Sequence, residues 1–219
     1  MRSRAGRPRR VRVFIDYWNF ARDWYSIHER QPDKNMDWAA LPAAILEALD
    51  RVPLLRSTRK ELRAVKVYTS LQPPKDSGFD DLDEEEKLGE ERRLNDWFQN
   101  DLDQLTAYTV DITPRADDPL QCDVCGHRNS HFVEQGVDTK IAIDLVALAS
   151  SDLYDIAVLV TNDSDLVPSV QCVQDSLDKL VLHLGFEDIE TEVRTAAWGH
   201  LFIEGMFADI VRTSERPYS

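Results

Sequence analysis

Three acids stand just beyond apolar runs of the chain. Asp16 follows Val11–Ile15 in the segment Asp16-Tyr17-Trp18-Asn19, and Asp163 and Asp165 follow Ile156–Thr161 in Thr161-Asn162-Asp163-Ser164-Asp165. A further acid, Asp138 in Glu-Gln-Gly-Val-Asp-Thr, opens a helical segment. Taken one at a time, Asp, Asn and Ser at such places serve as turn formers and helix caps. Taken together they imply more. Two carboxylates about 4 Å apart at an effective dielectric near 20 repel by about 4 kcal/mol, so a convergent cluster is protonated, spread apart or filled by a cation. The natural occupant is a hard divalent ion such as Mg²⁺ or Mn²⁺, which takes oxygen ligands.

Asp144 adds to the set from a different position. In the segment from Thr139, Ile141, Leu145 and Leu148 form an apolar stripe, and Asp144 borders it. A carboxylate at the edge of an apolar face is costly unless partnered, so Asp144 either touches the cluster, braces it or sits solvated on the flank. Lys140 is placed to pair with an acid or to meet a phosphate. A second kind of chemistry lies in Cys122-x-x-Cys125-x-His127-x-x-x-His131, four zinc-compatible donors whose spacing is tighter than in common zinc fingers. Both a structural Zn²⁺ and a reduced, metal-free loop remain open there, and neither would be the catalytic metal. The odd count, 3 cysteines, argues against a disulfide framework.

The elements that must position these residues follow from patterning. Val11–Ile15, Ala64–Thr69, Leu105–Ile112, Ile156–Thr161 and Lys179–Leu184 are runs rich in β-branched, aromatic and other apolar residues, and they read as strands buried on both faces. Between them Trp18–His28, Asp37–Asp50 with Asp37 as N-cap, Lys87–Leu102, Thr139–Ser151 and Asp165–Leu177 have helical spacing, and Thr191–Ile210 reads as one or two closing helices. Strands alternating with helices predict a mainly parallel sheet. The expected fold is therefore α/β, a three-layer α/β/α sandwich. Ligands on such a sheet bind beyond the carboxyl ends of the strands where strand order reverses, and that is where the acids fall if the first and fourth runs are neighbours. The domain reading is a basic arm over 1–10, one domain over 11–212 and a tail over 213–219. Insertions stand at 72–86, an acidic loop, and at 113–135, the Cys/His loop.

The whole chain of 219 residues carries Lys+Arg 26 against Asp+Glu 40, a net charge of −14, with 42% hydrophobic residues. That composition fits a globular domain and excludes collagen, coiled coil and disordered classes. The first ten residues hold five arginines and no acid, so the body is strongly acidic and should repel phosphate unless cations or the arm, Arg2–Arg10 with Arg12, reverse the local field. The sequence has no membrane-length apolar stretch and no signal-peptide core, which points to a cytoplasmic protein without a membrane partner. Glycines are scattered singly, so no Walker or dinucleotide cradle is present, and there is no Gly-x-Ser-x-Gly elbow. His183 and His200 read as structural histidines.

The segments Val-Phe-Ile-Asp16-Tyr-Trp-Asn19-Phe, Glu-Gln-Gly-Val-Asp138-Thr-Lys-Ile-Ala-Ile-Asp144-Leu-Val-Ala-Leu-Ala and Tyr-Asp-Ile-Ala-Val-Leu-Val-Thr-Asn-Asp163-Ser-Asp165-Leu-Val-Pro-Ser-Val resemble, in this order, the NYN domains of the PIN-like ribonuclease superfamily, and within them the LabA-like (DUF88) group. The resemblance runs from about Val11 to Ile210. It implies a metal-dependent nuclease acting mainly on RNA, with Asp16, Asp138 and Asp163 at the metal-binding positions. Asp144 and Asp165 match as further acids, and Asn19 matches the family's Asn. Tyr17 and Trp18 stand where smaller residues are frequent, Gln135 where Lys is, and Asn162 and Leu166 where Gly and Phe are. The expected function is a metal-dependent endoribonuclease; the alternative is a PIN-like module that binds RNA or protein with little turnover. The sequence leaves open the RNA, cleavage of DNA, the protein partner and whether the chain forms a homo-oligomer.

Overall fold

The first apolar run becomes β1, Arg9–Asp16, and its alternate side chains enter two separate layers. Val11, Val13 and Ile15 join one buried cluster, while Phe14 joins the other. In this computed structural model residues 7–71, 82–121, 128–133 and 136–212 are described, with the backbone course alone for 82–88, 116–121 and 128–133. β1 is the centre of the sheet. The other strands are β2 (Lys60–Leu71), β3 (Tyr108–Pro114), β6 (Ile156–Val160), β7 (Leu180–Gly185) and β8 (Gly199–Phe202), in the order β3-β2-β1-β6-β7-β8 with every pairing parallel. A separate antiparallel hairpin joins β4 (Ala116–Gln121) to β5 (Arg128–Val133).

Helices cover both faces. On one side lie α1 (Tyr17–His28), the short α2 (Pro32–Asn35), α3 (Leu41–Arg51), the end of α4 (Leu82–Trp97) with the wide turn Phe98–Leu102, and α8 (Phe207–Ile210). Trp24 is fully buried there, and its indole N–H donates to Asn35 Oδ1 at 2.8 Å, which removes the cost of burying that polar edge. On the other side lie α5 (Val137–Ser150), α6 (Val167–Asp175) and α7 (Glu192–Ala196). The result is the expected three-layer α/β/α sandwich.

Strand order reverses between β1 and β6, because the chain goes to β2 and β3 on one side and to β7 and β8 on the other. That is the expected adjacency of the first and fourth runs, with Ile15 opposite Val160. Four stretches differ from expectation. The closing segment is not all helix: Gly199–Phe202 pairs with β7, because edge pairing outweighs the helical spacing of so short a segment. The Cys/His insertion holds the β4–β5 hairpin, whose Asp117, Asp118 and Pro119 hide any strand signal. Helix α4 begins at Leu82, inside the acidic run, since Glu is a good helix former and favoured near a helix start. Asp37 caps a turn, accepting from the N–H of Ala39 and Ala40 at 3.1 and 3.2 Å, and helix α3 proper starts at Leu41.

The first strand also starts at Arg9, so two residues of the basic arm belong to the sheet. Arg10 is 7% exposed and locked at the amino edge by Asp155, whose Oδ2 accepts from the Arg10 backbone N–H at 2.8 Å and from Nε at 3.0 Å, and whose Oδ1 accepts from Nη2 at 2.9 Å. Asp152 binds the same guanidinium. Arg10 is therefore held by the fold at the amino edge, opposite the end of β1 that carries Asp16. Among the described residues no helix is long and apolar enough to cross a membrane.

Candidate active site

Asp16 ends β1 and is 4% exposed, so its carboxylate must be satisfied from within. One oxygen caps α1, accepting the Asn19 N–H at 3.2 Å, where the helix start favours negative charge. The other accepts the hydroxyl of Thr161 at 3.2 Å. Thr161 lies just past β6, and its Oγ1 in turn accepts the Asp163 N–H at 3.2 Å. A single hydroxyl thus ties the acid of the first motif to the backbone of the acid in the third.

The turn after β6 is fixed from several directions. Asn19 Oδ1 accepts the Asn162 N–H at 3.0 Å, and the Asn162 side-chain amide donates to Asp23, which is 7% exposed. His183 Nε2 lies 3.0 Å from Thr161 O and 3.1 Å from Asn162 Oδ1. Asp163 is half-buried and caps the turn Ser164–Leu166, accepting the Asp165 N–H at 2.9 Å, while the Asp165 side chain is exposed. Burial pushes the His183 pKa down to about 4; Arg194 and His200 act in the same direction and the Thr161 carbonyl opposes them, so the ring is neutral.

Asp138 comes from the other side. Helix α5 runs toward the amino edge, where Asp155 N–H bonds Arg10 O, so its first turn with half-buried Asp138 lies at the carboxyl edge. Gly136 precedes it with φ of 79°, a left-handed conformation that favours glycine. Asp144, two turns along, is drawn into a separate ionic network. It accepts from Lys66 Nζ and Tyr68 OH at 2.7 Å each, and Asp111 bridges Lys66 at 3.1 Å and Lys140 at 2.6 Å. Burial works against the charge of Asp111, but its bonds to Lys140 and Lys66 prevail and hold its pKa below the usual carboxylate range. Burial likewise opposes the charge of Lys66, and Asp144 and Asp111 reverse it. Tyr68 sits in register with both Asp16 and Asp111, and burial followed by Asp144 pushes its phenol far up.

Asp16, Asn19 and Asp163 therefore stand in one bonded group, Asp138 lies on the same edge, Asp144 belongs to the network beside it, and Asp165 projects from the rim. The donor set is oxygen-rich and suits a hard divalent cation in kind. Among the described residues no three His, Cys, Asp or Glu already stand together as a metal-holding group, so a cation would have to draw the carboxylates in. Tyr17 is buried against Trp18, Trp38, Trp97 and Phe98, and is no stacking face. Trp18 bonds Ser70 O at 2.8 Å and is covered by the Arg115 guanidinium at 5.2 Å. Lys140 pairs with an acid. Asp23, Tyr68, Lys66 and Asp111 were not legible as site residues, although Asp23 stands one helical turn beyond Asn19 on the same face. Cys122, Cys125 and His127 lie outside the described residues, as does the side chain of His131.

The NYN domain family matches residues 10–204. A crystal structure of a protein of unknown function from Vibrio parahaemolyticus has the same fold, with a TM-score of 0.52 at 15% identity over 94% of this chain and 98% of that one. No curated protein matches the chain.

Proposed function

The chain belongs to the NYN domain family, whose domains are of nuclease type and PIN-like fold, and from that premise we propose a metal-dependent endoribonuclease of the LabA-like (DUF88) group. The observation that carries the reading is the Asp16–Thr161–Asp163 linkage at the point where strand order reverses. Asp16, Asp138 and Asp163 would hold Mg²⁺ or Mn²⁺. Such a cation, when bound, polarises the scissile phosphate and lowers the pKa of an attacking water.

The protein's own groups have distinct tasks in this scheme. Asp16 is held by Asn19 N–H and Thr161 OH, so its carboxylate keeps one orientation. Asn19 holds the Asn162 backbone and thereby the start of the Asp163 turn. Asp165, exposed beside Asp163, would orient the attacking water. Asp144 sets α5 through Lys66 and Tyr68 rather than touching substrate. RNA as substrate and the cytoplasm as its place of action complete the proposal.

The alternative, a PIN-like module that binds RNA or protein without turnover, draws on the net charge of −14 and on the absence of a ready metal group among the described residues. Incubating the protein with single-stranded and structured RNAs in Mn²⁺, Mg²⁺ or EDTA separates the two. The enzyme reading expects cleavage in metal, none in EDTA and none by Asp163→Asn. RNA retained uncut in both metals would favour the module.

A further inference from the structure

Asn162 carries a side chain whose two ends are both committed. Its amide nitrogen donates to the Asp23 carboxylate, which can only accept, so the orientation of the amide is fixed and Oδ1 faces the other way. There it meets His183 Nε2 at 3.1 Å, and the same nitrogen is 3.0 Å from Thr161 O. Both neighbours are acceptors, so Nε2 carries the proton and donates to both. His183 is 1% exposed, on β7, one strand away from the Thr161–Asn162 turn. The room for its ring comes from Gly185, where an added Cβ would collide with imidazole Cε1.

We infer that His183 is a positioning residue for the acidic edge: its Nε2–H pins Thr161 and Asn162, and through them fixes Asp16 and Asp163. The path is short and continuous. His183 holds Thr161 by its carbonyl, and the Thr161 hydroxyl donates to Asp16 while accepting the Asp163 N–H. His183 also holds Asn162, whose N–H is bound by Asn19, the residue that in turn donates to Asp16. Without the imidazole donor, Thr161 O and Asn162 Oδ1 lose their fixed partner, and the turn is free to rotate the hydroxyl away from Asp16. The role is that of an outer hydrogen-bond partner that orients ligands, where loss commonly costs about 10–100-fold in activity or metal affinity.

The inference rests on the nuclease reading for its catalytic consequence, though not for its geometry. Two measurements keep the two apart. ¹⁵N NMR of the wild-type imidazoles near neutral pH should show His183 neutral, protonated on Nε2 and slow to exchange. Protonation on Nδ1 would overturn the inference whether or not RNA is cut. In RNA cleavage with Mn²⁺, His183→Leu should lower kcat about tenfold or more with KM nearly unchanged, and His183→Gln, which keeps an N–H donor, should recover much of the loss. An unchanged kcat in His183→Leu, or a Gln variant as impaired as the Leu variant, would overturn it. Absence of cleavage by the wild type would contradict the nuclease reading alone, and the imidazole tautomer would still decide the inference.

Discussion

Asp16 is buried and accepts from the Asn19 N–H and the Thr161 hydroxyl, and in its proposed role it is charged. If it helps to hold a cation, the folded state binds Mn²⁺ and the unfolded chain does not, so the melting temperature must rise with added metal. At a concentration 100 times Kd the gain is about 2.7 kcal/mol. Differential scanning fluorimetry should record the rise in the wild type and its loss in Asp16→Asn and Asp163→Asn. An equal rise in the variants would place the cation elsewhere. His183 supplies a separate test at the same scale. Burial holds its folded pKa at about 4, below the ordinary histidine value of about 6.5, so between these values the unfolded chain binds the extra proton. Its contribution is complete above pH 6.5 and is lost as the pH falls toward 4, an amount of about 3 kcal/mol. Urea unfolding from pH 7 to 4 should show that part of the slope vanish in His183→Leu; the same slope in both proteins would refute it.

At the scale of elements, the two edges of the sheet do different work. The amino edge is tied by Arg10, whose bonds to Asp155 outweigh burial and raise its pKa, with Asp152 and Lys179 completing the cluster. Breaking a buried pair by removing one partner costs about 3–5 kcal/mol. Asp155→Ala should therefore lower the melting temperature sharply while cleavage per folded molecule stays near wild type. Lost activity with intact folding would show the edges to be coupled. The same contrast explains what patterning could reveal. The inner strands β1, β2, β6 and β7 were legible because their runs are rich in β-branched and apolar residues, and β3 likewise although it is an edge strand with one buried residue; the main helices were legible because their stripes repeat. β8 was not, because four residues with a leading Gly199 become a strand only through register with β7. Nor was the β4–β5 hairpin, whose pairing exists despite Pro119.

The whole molecule combines an acidic body, at net charge −14, with a site proposed to accept a phosphodiester. The expected arginine relief is reduced, since Arg10 is consumed by the fold and faces the wrong edge. In the proposed function, cations at the carboxyl edge would take over the neutralisation of the substrate. That Asp16, Asp138 and Asp163 share the carboxyl edge was legible, because they follow strands or open a helix and the parallel sheet puts such positions on one edge. The bonds that shape it were not, because Asp23 and His183 reach Asn162 only through the β6–β7 register and the pitch of α1. The most direct test of the central claim is cleavage of an RNA carrying a single stereodefined phosphorothioate at the scissile position, compared in Mg²⁺ and Mn²⁺. Sulfur is a poor ligand for hard Mg²⁺ and a better one for Mn²⁺, so the account predicts that one diastereomer is cut slowly in Mg²⁺ and rescued by Mn²⁺. Equal rates in both metals for both diastereomers, or cleavage that persists in EDTA, would contradict it.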